Sequence, residues 1–85
     1  MYSKEALKVF LDNQQQLFDE RVAETPEEAE EFLDECLAVE CKNIKEVRRY
    51  LDELGADVSG MSVKELEEAS EVFKIPGGGY LVVEG

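Results

Sequence analysis

Apolar residues recur every three or four positions through the first two thirds of the chain, which is the spacing of amphipathic helices. In the first segment this pattern begins after Ser3, a favourable N-cap residue, and extends to Phe18. Gln14 is its one polar interruption. The pattern predicts a first helix over residues 3–18.

Three later helix starts are marked by a Thr, Asn or Ser followed three residues later by Glu, the arrangement of a capping box. These pairs are Thr25 with Glu28, Asn43 with Glu46, and Ser62 with Glu65. Apolar spacing from each start predicts helices over 26–41, 44–54 and 63–70. Pro26 supports the first of these starts, and Gly55 is suited to cap the end of the third predicted helix. The stripe expected to be buried on the second predicted helix consists of Ala29, Phe32, Leu33, Cys36 and Leu37.

After residue 70 the apolar period changes from 3.6 to 2, which predicts a β-hairpin over residues 71–84 around the loop 76–79. A three-glycine loop would place four apolar side chains on one face, namely Phe73, Ile75, Leu81 and Val83. One residue more or less in the loop would turn the side chains of one strand to the opposite face, so the register is left open. A lone hairpin is marginal in water, so at least one face must pack on helices. The sequence predicts an α+β fold in a single domain, residues 1–85, with three to four short helices followed by a C-terminal β-hairpin packed on the helices.

The last strand is also a candidate for association with another chain. Its residues, Tyr80, Leu81, Val82 and Val83, include no lysine of the kind that blocks pairing at an exposed sheet edge. If this strand lies at the edge, its free N–H and C=O groups can accept a strand from a partner or from a second copy. A homodimer through the C-terminal strand is therefore one hypothesis.

Composition removes several classes of function. The chain has 21 Asp plus Glu, 9 Lys plus Arg and no His, for a net charge of −12. This charge opposes broad contact with nucleic acid or an anionic membrane, so neither is expected as a partner. Without His there is no imidazole base, and no nucleophile–base arrangement can be read from the remaining residues. We therefore expect no enzymatic activity, no cofactor and no metal site.

The negative charge is concentrated in one part of the chain. Residues 24–41 contain eight acidic and no basic side chains, whereas residues 42–49 have a net charge of +3. The candidate partner-binding residues on the second predicted helix are Glu27, Glu31, Asp34 and Glu35. Either the following basic helix packs beside these carboxylates and neutralises part of their charge, or they form a docking surface for a basic protein. The second hypothesis makes the chain a small acidic, non-catalytic protein-interaction or regulatory module.

The two cysteines bear on the cellular compartment. Cys36 and Cys41 are five residues apart, and on one helix they would point in directions about 140° apart, too divergent for a disulfide. Two free thiols are typical of a reducing environment. The polar start of the chain and the lack of a run of roughly 20 apolar residues predict no signal peptide and no membrane span. The expected location is the cytoplasm.

The segment from Leu54 to Met61, read with Glu65-Leu66-Glu67-Glu68 and Phe73-Lys74-Ile75-Pro76, resembles acyl carrier proteins around their prosthetic serine. This resemblance implies that Ser59 carries a phosphopantetheine group. It covers about a quarter of the chain. Val58 interrupts the Asp-Ser-Leu tripeptide of that family, and a glycine-rich hairpin stands where its later helices belong.

Two other resemblances concern the same half of the chain. The order of third helix, turn, fourth helix and glycine-tipped hairpin resembles a winged helix-turn-helix, and the acidic fourth helix implies protein contact rather than DNA contact. Met61-Ser62-x-x-Glu65-Leu66 ahead of Gly77-Gly78 resembles the leader peptides of bacterial ribosomal natural products, and this implies release of residues 79–85.

Overall fold

Four α-helices and a three-stranded antiparallel sheet are formed by residues 2–83, the part of the chain that the computed structural model describes. In chain order they are α1 (Lys4–Asn13), a 3₁₀ turn (Gln14–Gln16), α2 (Pro26–Glu35), β1 (Val39–Cys41), α3 (Ile44–Glu53), α4 (Val63–Glu68), β2 (Val72–Lys74) and β3 (Tyr80–Val82). The predicted α+β class is confirmed, as is a C-terminal hairpin packed on helices. Residue 84 of the predicted hairpin lies outside the described residues.

The predicted helix starts are confirmed at the level of individual hydrogen bonds. The side chains of Thr25, Asn43 and Ser62 accept the backbone N–H groups of Glu28, Glu46 and Glu65, at 3.2, 3.0 and 3.2 Å. Only the last pair forms a full capping box, in which the glutamate also accepts the N–H of the cap residue. In the other two pairs the glutamate accepts the N–H of the residue before the cap.

Two helices end five or six residues before their predicted ends, whereas α3 and α4 end within two residues of theirs. The first helix stops at Asn13 instead of continuing to residue 18, because residues 14–16 tighten into the 3₁₀ turn. The second stops at Glu35 instead of residue 41, because Leu37 takes a left-handed backbone conformation with φ +59°. Residues 39–41, predicted as helix, are strand β1, so Cys41 lies in the sheet.

The strand order is β1-β3-β2, which places the C-terminal strand in the centre of the sheet. Leu81 of β3 lies opposite Phe73 of β2 on one side and opposite Glu40 of β1 on the other. The hypothesis of a homodimer through residues 80–83 required this strand to lie at the edge, and the strand order contradicts that requirement. The cause is β1, whose residues the sequence pattern assigned to a helix. Adding a strand from a second copy to β3 would require β1 or β2 to leave the sheet.

The outer edges of the sheet are partly covered as well. At β2, the amide of Gln16 donates to the carbonyl oxygens of Ser70 and Val72, at 3.1 and 3.0 Å. At β1, the N-terminal residues lie alongside the strand, and the N–H of Ser3 donates to the Glu40 carboxylate at 3.0 Å. At β2 the Gln16 bonds occupy carbonyl oxygens that an added strand would need, whereas the bond at β1 involves a side chain only.

Helices cover both faces of the sheet, and the two faces bury alternate residues. Phe73, Ile75, Leu81 and Val83 are buried against α1 and α2, as a three-glycine loop requires. The opposite face buries Cys41, Val72 and Val82 against α3 and its residue Val47. α4 packs on α3 and on β2. The sheet thus separates α2 from α3, and this separation positions the charged surfaces of the molecule.

Candidate functional site: the acidic face of α2

α2 has one face fixed inward by its apolar residues. Ala29 and Leu33 are fully buried, and the half-buried ring of Phe32 stacks on Phe10 of α1 with centroids 5.8 Å apart. The remaining predicted stripe differs: Cys36 is half-buried and Leu37 is 76% exposed. Because the buried side is fixed, the acidic side chains of this helix point to solvent or to its borders. We call the surface formed by Glu27, Glu28, Glu30, Glu31, Asp34 and Glu35 the acidic face.

Three of the four predicted partner-binding residues lie together. Glu27, Glu31 and Asp34 line one open depression of about 430 Å³, together with Glu30 and Tyr2. The Tyr2 side chain is held in place because its single hydroxyl proton is shared between the carbonyl oxygens of Ala38 and Leu33, at 2.6 and 3.0 Å. Burial, followed by the negative charge of Asp34, raises the pKa of the Tyr2 hydroxyl above its usual value, so it remains a donor. The depression therefore offers four carboxylates.

The fourth predicted residue lies on the neighbouring side of the helix. Glu35 lines a second depression, of about 250 Å³, with Glu28 and Glu31 as the other acidic members. Val22, which is 37% exposed, and Phe32 supply its apolar surface. Glu31 borders both depressions. The acidic face thus combines carboxylates with a small apolar floor.

The basic segment does not neutralise the acidic face. α3 packs on the opposite face of the sheet from α2, and within residues 2–83 the single ion pair joins Lys74 to Glu67, at 3.8 Å. Arg48 of the basic segment has a structural role, because its guanidinium donates to the carbonyl oxygens of Val58 and Met61, at 2.6 and 2.7 Å. The hypothesis that the basic helix packs beside the acidic one is therefore wrong.

The two cysteines are free thiols. Burial raises the pKa of both, and the neighbouring carboxylates of Glu35 and Glu46 add to this for Cys36 and Cys41 respectively. Because the thiolate is the nucleophile, a raised thiol pKa lowers reactivity at neutral pH. The structure therefore gives neither cysteine the environment of a reactive thiol.

Ser59, the residue that the carrier-protein resemblance singles out, lies in the exposed connection between α3 and α4. Its hydroxyl donates to the Asp57 carboxylate at 3.0 Å, and it borders an open depression of about 370 Å³ with Lys45 and Arg49. The carrier resemblance implies helices after this serine, but only the six-residue α4 follows before strand β2.

The helix–turn–helix–hairpin order that carries the winged-helix resemblance is present. Its two helices, α3 and α4, pack on each other. The exposed charged side chains of α4 are one base, Lys64, and two acids, Glu65 and Glu68. Such a surface repels phosphate.

The sequence analysis did not identify two residues that line the larger acidic depression, Glu30 and Tyr2. Glu30 could have been included, since it is three residues after Glu27 and four before Asp34, and so shares their side of the helix. Tyr2 could not, because no local pattern indicates that a residue 31 positions from Leu33 contacts its carbonyl group. Long-range contacts of this kind depend on the tertiary fold alone.

Among residues 2–83, no group of three or more Cys, Asp or Glu side chains is placed to hold a metal ion. The helices of this part of the chain are all too short or too polar to cross a membrane. Comparison of the chain with models of known protein families, with curated proteins and with solved structures gave no significant match.

Proposed function

We propose that this chain is a cytoplasmic, non-catalytic interaction module whose acidic face docks a basic protein partner. The observation that carries the proposal is that, within residues 2–83, no ion pair involves the carboxylates of the acidic face. Four carboxylates share one depression, and the basic segment that could balance them lies across the sheet. Like charges held this close cost a few tenths of a kcal/mol per neighbouring pair, a cost that a cationic partner would relieve.

The apolar floor of the neighbouring depression supports a protein partner over a small cation. Val22 and Phe32 provide apolar area next to Glu31 and Glu35. Protein interfaces combine an apolar centre with a charged rim, and the rim charges mainly accelerate and orient association. A basic protein surface that presents one apolar side chain to Val22 and Phe32 fits this arrangement.

The test is a charge reversal with a matched control. The variant Glu27→Lys/Glu31→Lys/Asp34→Lys changes the acidic face, and Asp19→Lys/Glu20→Lys/Glu68→Lys makes the same change in net charge at exposed positions elsewhere. Glu28 is left unchanged because it accepts the N–H of Glu24 near the start of α2.

Each protein is used as bait in a lysate of the source organism, and recovered proteins are compared by quantitative mass spectrometry. The wild-type chain and the control variant are expected to recover the same basic protein, with recovery by the acidic-face variant reduced at least about tenfold. Circular dichroism verifies that all three are folded. Equal recovery of the basic protein by the two variants would show that the acidic face does not bind the partner.

A further inference from the structure

The end of α2 contains a residue that the fold does not favour. Leu37 has φ +59°, a left-handed conformation in which the side chain of any L-residue is crowded against its own backbone. Its N–H donates to the backbone carbonyl oxygen of Asp34 at 3.2 Å. The next N–H, that of Ala38, donates to the backbone carbonyl oxygen of Leu33 at 2.9 Å. This pair of bonds is the Schellman motif, whose left-handed position is usually glycine.

The same chain contains the motif a second time, at the end of α3. There Gly55 occupies the left-handed position, with φ +91°, and its N–H donates to the backbone carbonyl oxygen of Asp52 at 3.0 Å. The N–H of Ala56 donates to the backbone carbonyl oxygen of Leu51 at 3.0 Å, as Ala38 does to Leu33. The two helix ends are therefore built alike, and one of them carries leucine where the other carries glycine.

Leucine at position 37 gains nothing visible from the fold. Its side chain is 76% exposed, the highest value among the exposed large hydrophobic residues of the described chain. The apolar contact that normally accompanies this motif is available without it, since Leu33 and Ala38 are both buried. Its backbone carbonyl accepts the Tyr50 hydroxyl at 3.3 Å, a bond that any residue could make. Residues held in strained backbone conformations cluster at binding and active sites, so a left-handed leucine without a packing role points to a contact outside the monomer.

We infer that Leu37 is the apolar anchor of the docking surface, and that the partner presents an apolar pocket bordered by Lys or Arg side chains. This inference rests on the proposed function. Leu37 follows Glu35 by two residues, so a partner that receives its side chain lies near the C-terminal end of the acidic face. Apolar side chains that enter a partner's pocket contribute most of the affinity at such interfaces, while the charged rim contributes orientation.

The first test needs only the purified chain. Leu37→Gly relieves the left-handed strain and removes a side chain without a packing role, so the unfolding midpoint should rise, by about 4 °C for a chain of this size. Leu37→Met keeps both the strain and the apolar character and should leave the midpoint unchanged. Thermal unfolding followed by circular dichroism measures both. A lower midpoint for Leu37→Gly would show that the side chain serves the fold, and would overturn the inference.

The second test uses the basic protein that the wild-type chain recovers in the charge-reversal experiment. That protein is purified and titrated calorimetrically with the wild-type chain, Leu37→Asn, Leu37→Met and a control, Leu54→Asn, at a residue that is 46% exposed. Leu37→Asn should weaken binding at least about tenfold, with Leu37→Met and the control within about threefold of wild type.

The outcomes separate the two claims. Wild-type affinity for Leu37→Asn, with the charge-reversed variant still defective, overturns the anchor and leaves the proposed function in place. Recovery of no basic protein by the wild-type chain counts against the proposed function and, with it, against the anchor.

Discussion

Gln14 is a buried polar residue that ties an irregular loop to the end of the first helix. Its carbonyl oxygen accepts the N–H groups of Val22 and Ala23, at 2.6 and 3.0 Å, and its amide donates to the carbonyl oxygens of Ala23 and Leu11, at 2.9 and 3.1 Å. The side chain is completely buried, and these four bonds compensate for the loss of hydration. The polar interruption of the first apolar stripe is therefore a structural clamp.

Replacing this clamp should be costly. Gln14→Leu keeps the size of the side chain but leaves the N–H groups of Val22 and Ala23 without a partner, so the free energy of unfolding should fall by about 2–4 kcal/mol. Urea unfolding followed by circular dichroism measures the change. Gln15→Leu, at the exposed neighbouring position, is the control and should stay within about 0.5 kcal/mol of wild type. A similar result for both variants would contradict the role given to Gln14.

Packing of α2 against α1 determines which side of α2 faces solvent. Helix α1 holds the inner side of α2 through a cluster that contains all four phenylalanines of the chain. Phe10 lies at its centre, with ring centroids 5.5 Å from Phe73 and 6.4 Å from Phe18. This packing keeps the acidic face on one side of the sheet, and α3 holds the basic segment on the other.

The hairpin loop approaches the backbone of strand β1 closely at Gly79. Gly79 has φ +93°, and a Cβ atom there would lie 3.0 Å from the carbonyl oxygen of Cys41 in β1. The approach is possible because glycine has no side chain. The hairpin loop is thus fitted to a strand that is almost forty residues earlier in the chain.

This contact predicts opposite effects for two glycine substitutions. Gly79→Ala should lower the free energy of unfolding by about 1–3 kcal/mol, because it adds both backbone strain and a steric contact. Gly60→Ala has neither a positive φ nor an atom within 4 Å, and should be neutral or stabilising by up to about 1 kcal/mol. Urea unfolding distinguishes them, and equal effects would show that the loop does not press on β1.

At the scale of the whole molecule, charge opposes folding. The net charge is −12, and only one ion pair is formed within residues 2–83. The unfolded chain keeps these charges further apart, so their repulsion destabilises the compact state. Salt reduces this repulsion, since the Debye length shortens from about 30 Å at 0.01 M to about 3 Å at 1 M.

Added NaCl should therefore stabilise the protein. Between about 20 and 500 mM NaCl, the free energy of unfolding should increase by about 1 kcal/mol, measured by urea titration at each salt concentration. The triple acidic-face reversal should show a smaller increase, because it removes part of the clustered charge. A decrease with salt in the wild-type chain would show that attractive pairs outweigh the repulsion.

The sequence by itself determined the features that depend on neighbours along the chain. Capping residues located the starts of α2, α3 and α4 because the cap and the N–H group that it accepts are three residues apart. The change of apolar period located the hairpin, and the charge count located the acidic residues of α2. These signals act within one helical turn or one strand pair, so they can be read without the fold.

The tertiary structure alone decided the rest. Residues 39–41 became a strand because β3 was available to pair with them, and that pairing moved the C-terminal strand from the edge to the centre of the sheet. The same sheet separates the acidic face from the basic segment, although the two are adjacent in sequence. Strand pairing and the division of helices between two sheet faces are contacts between distant residues, and local patterns do not encode them.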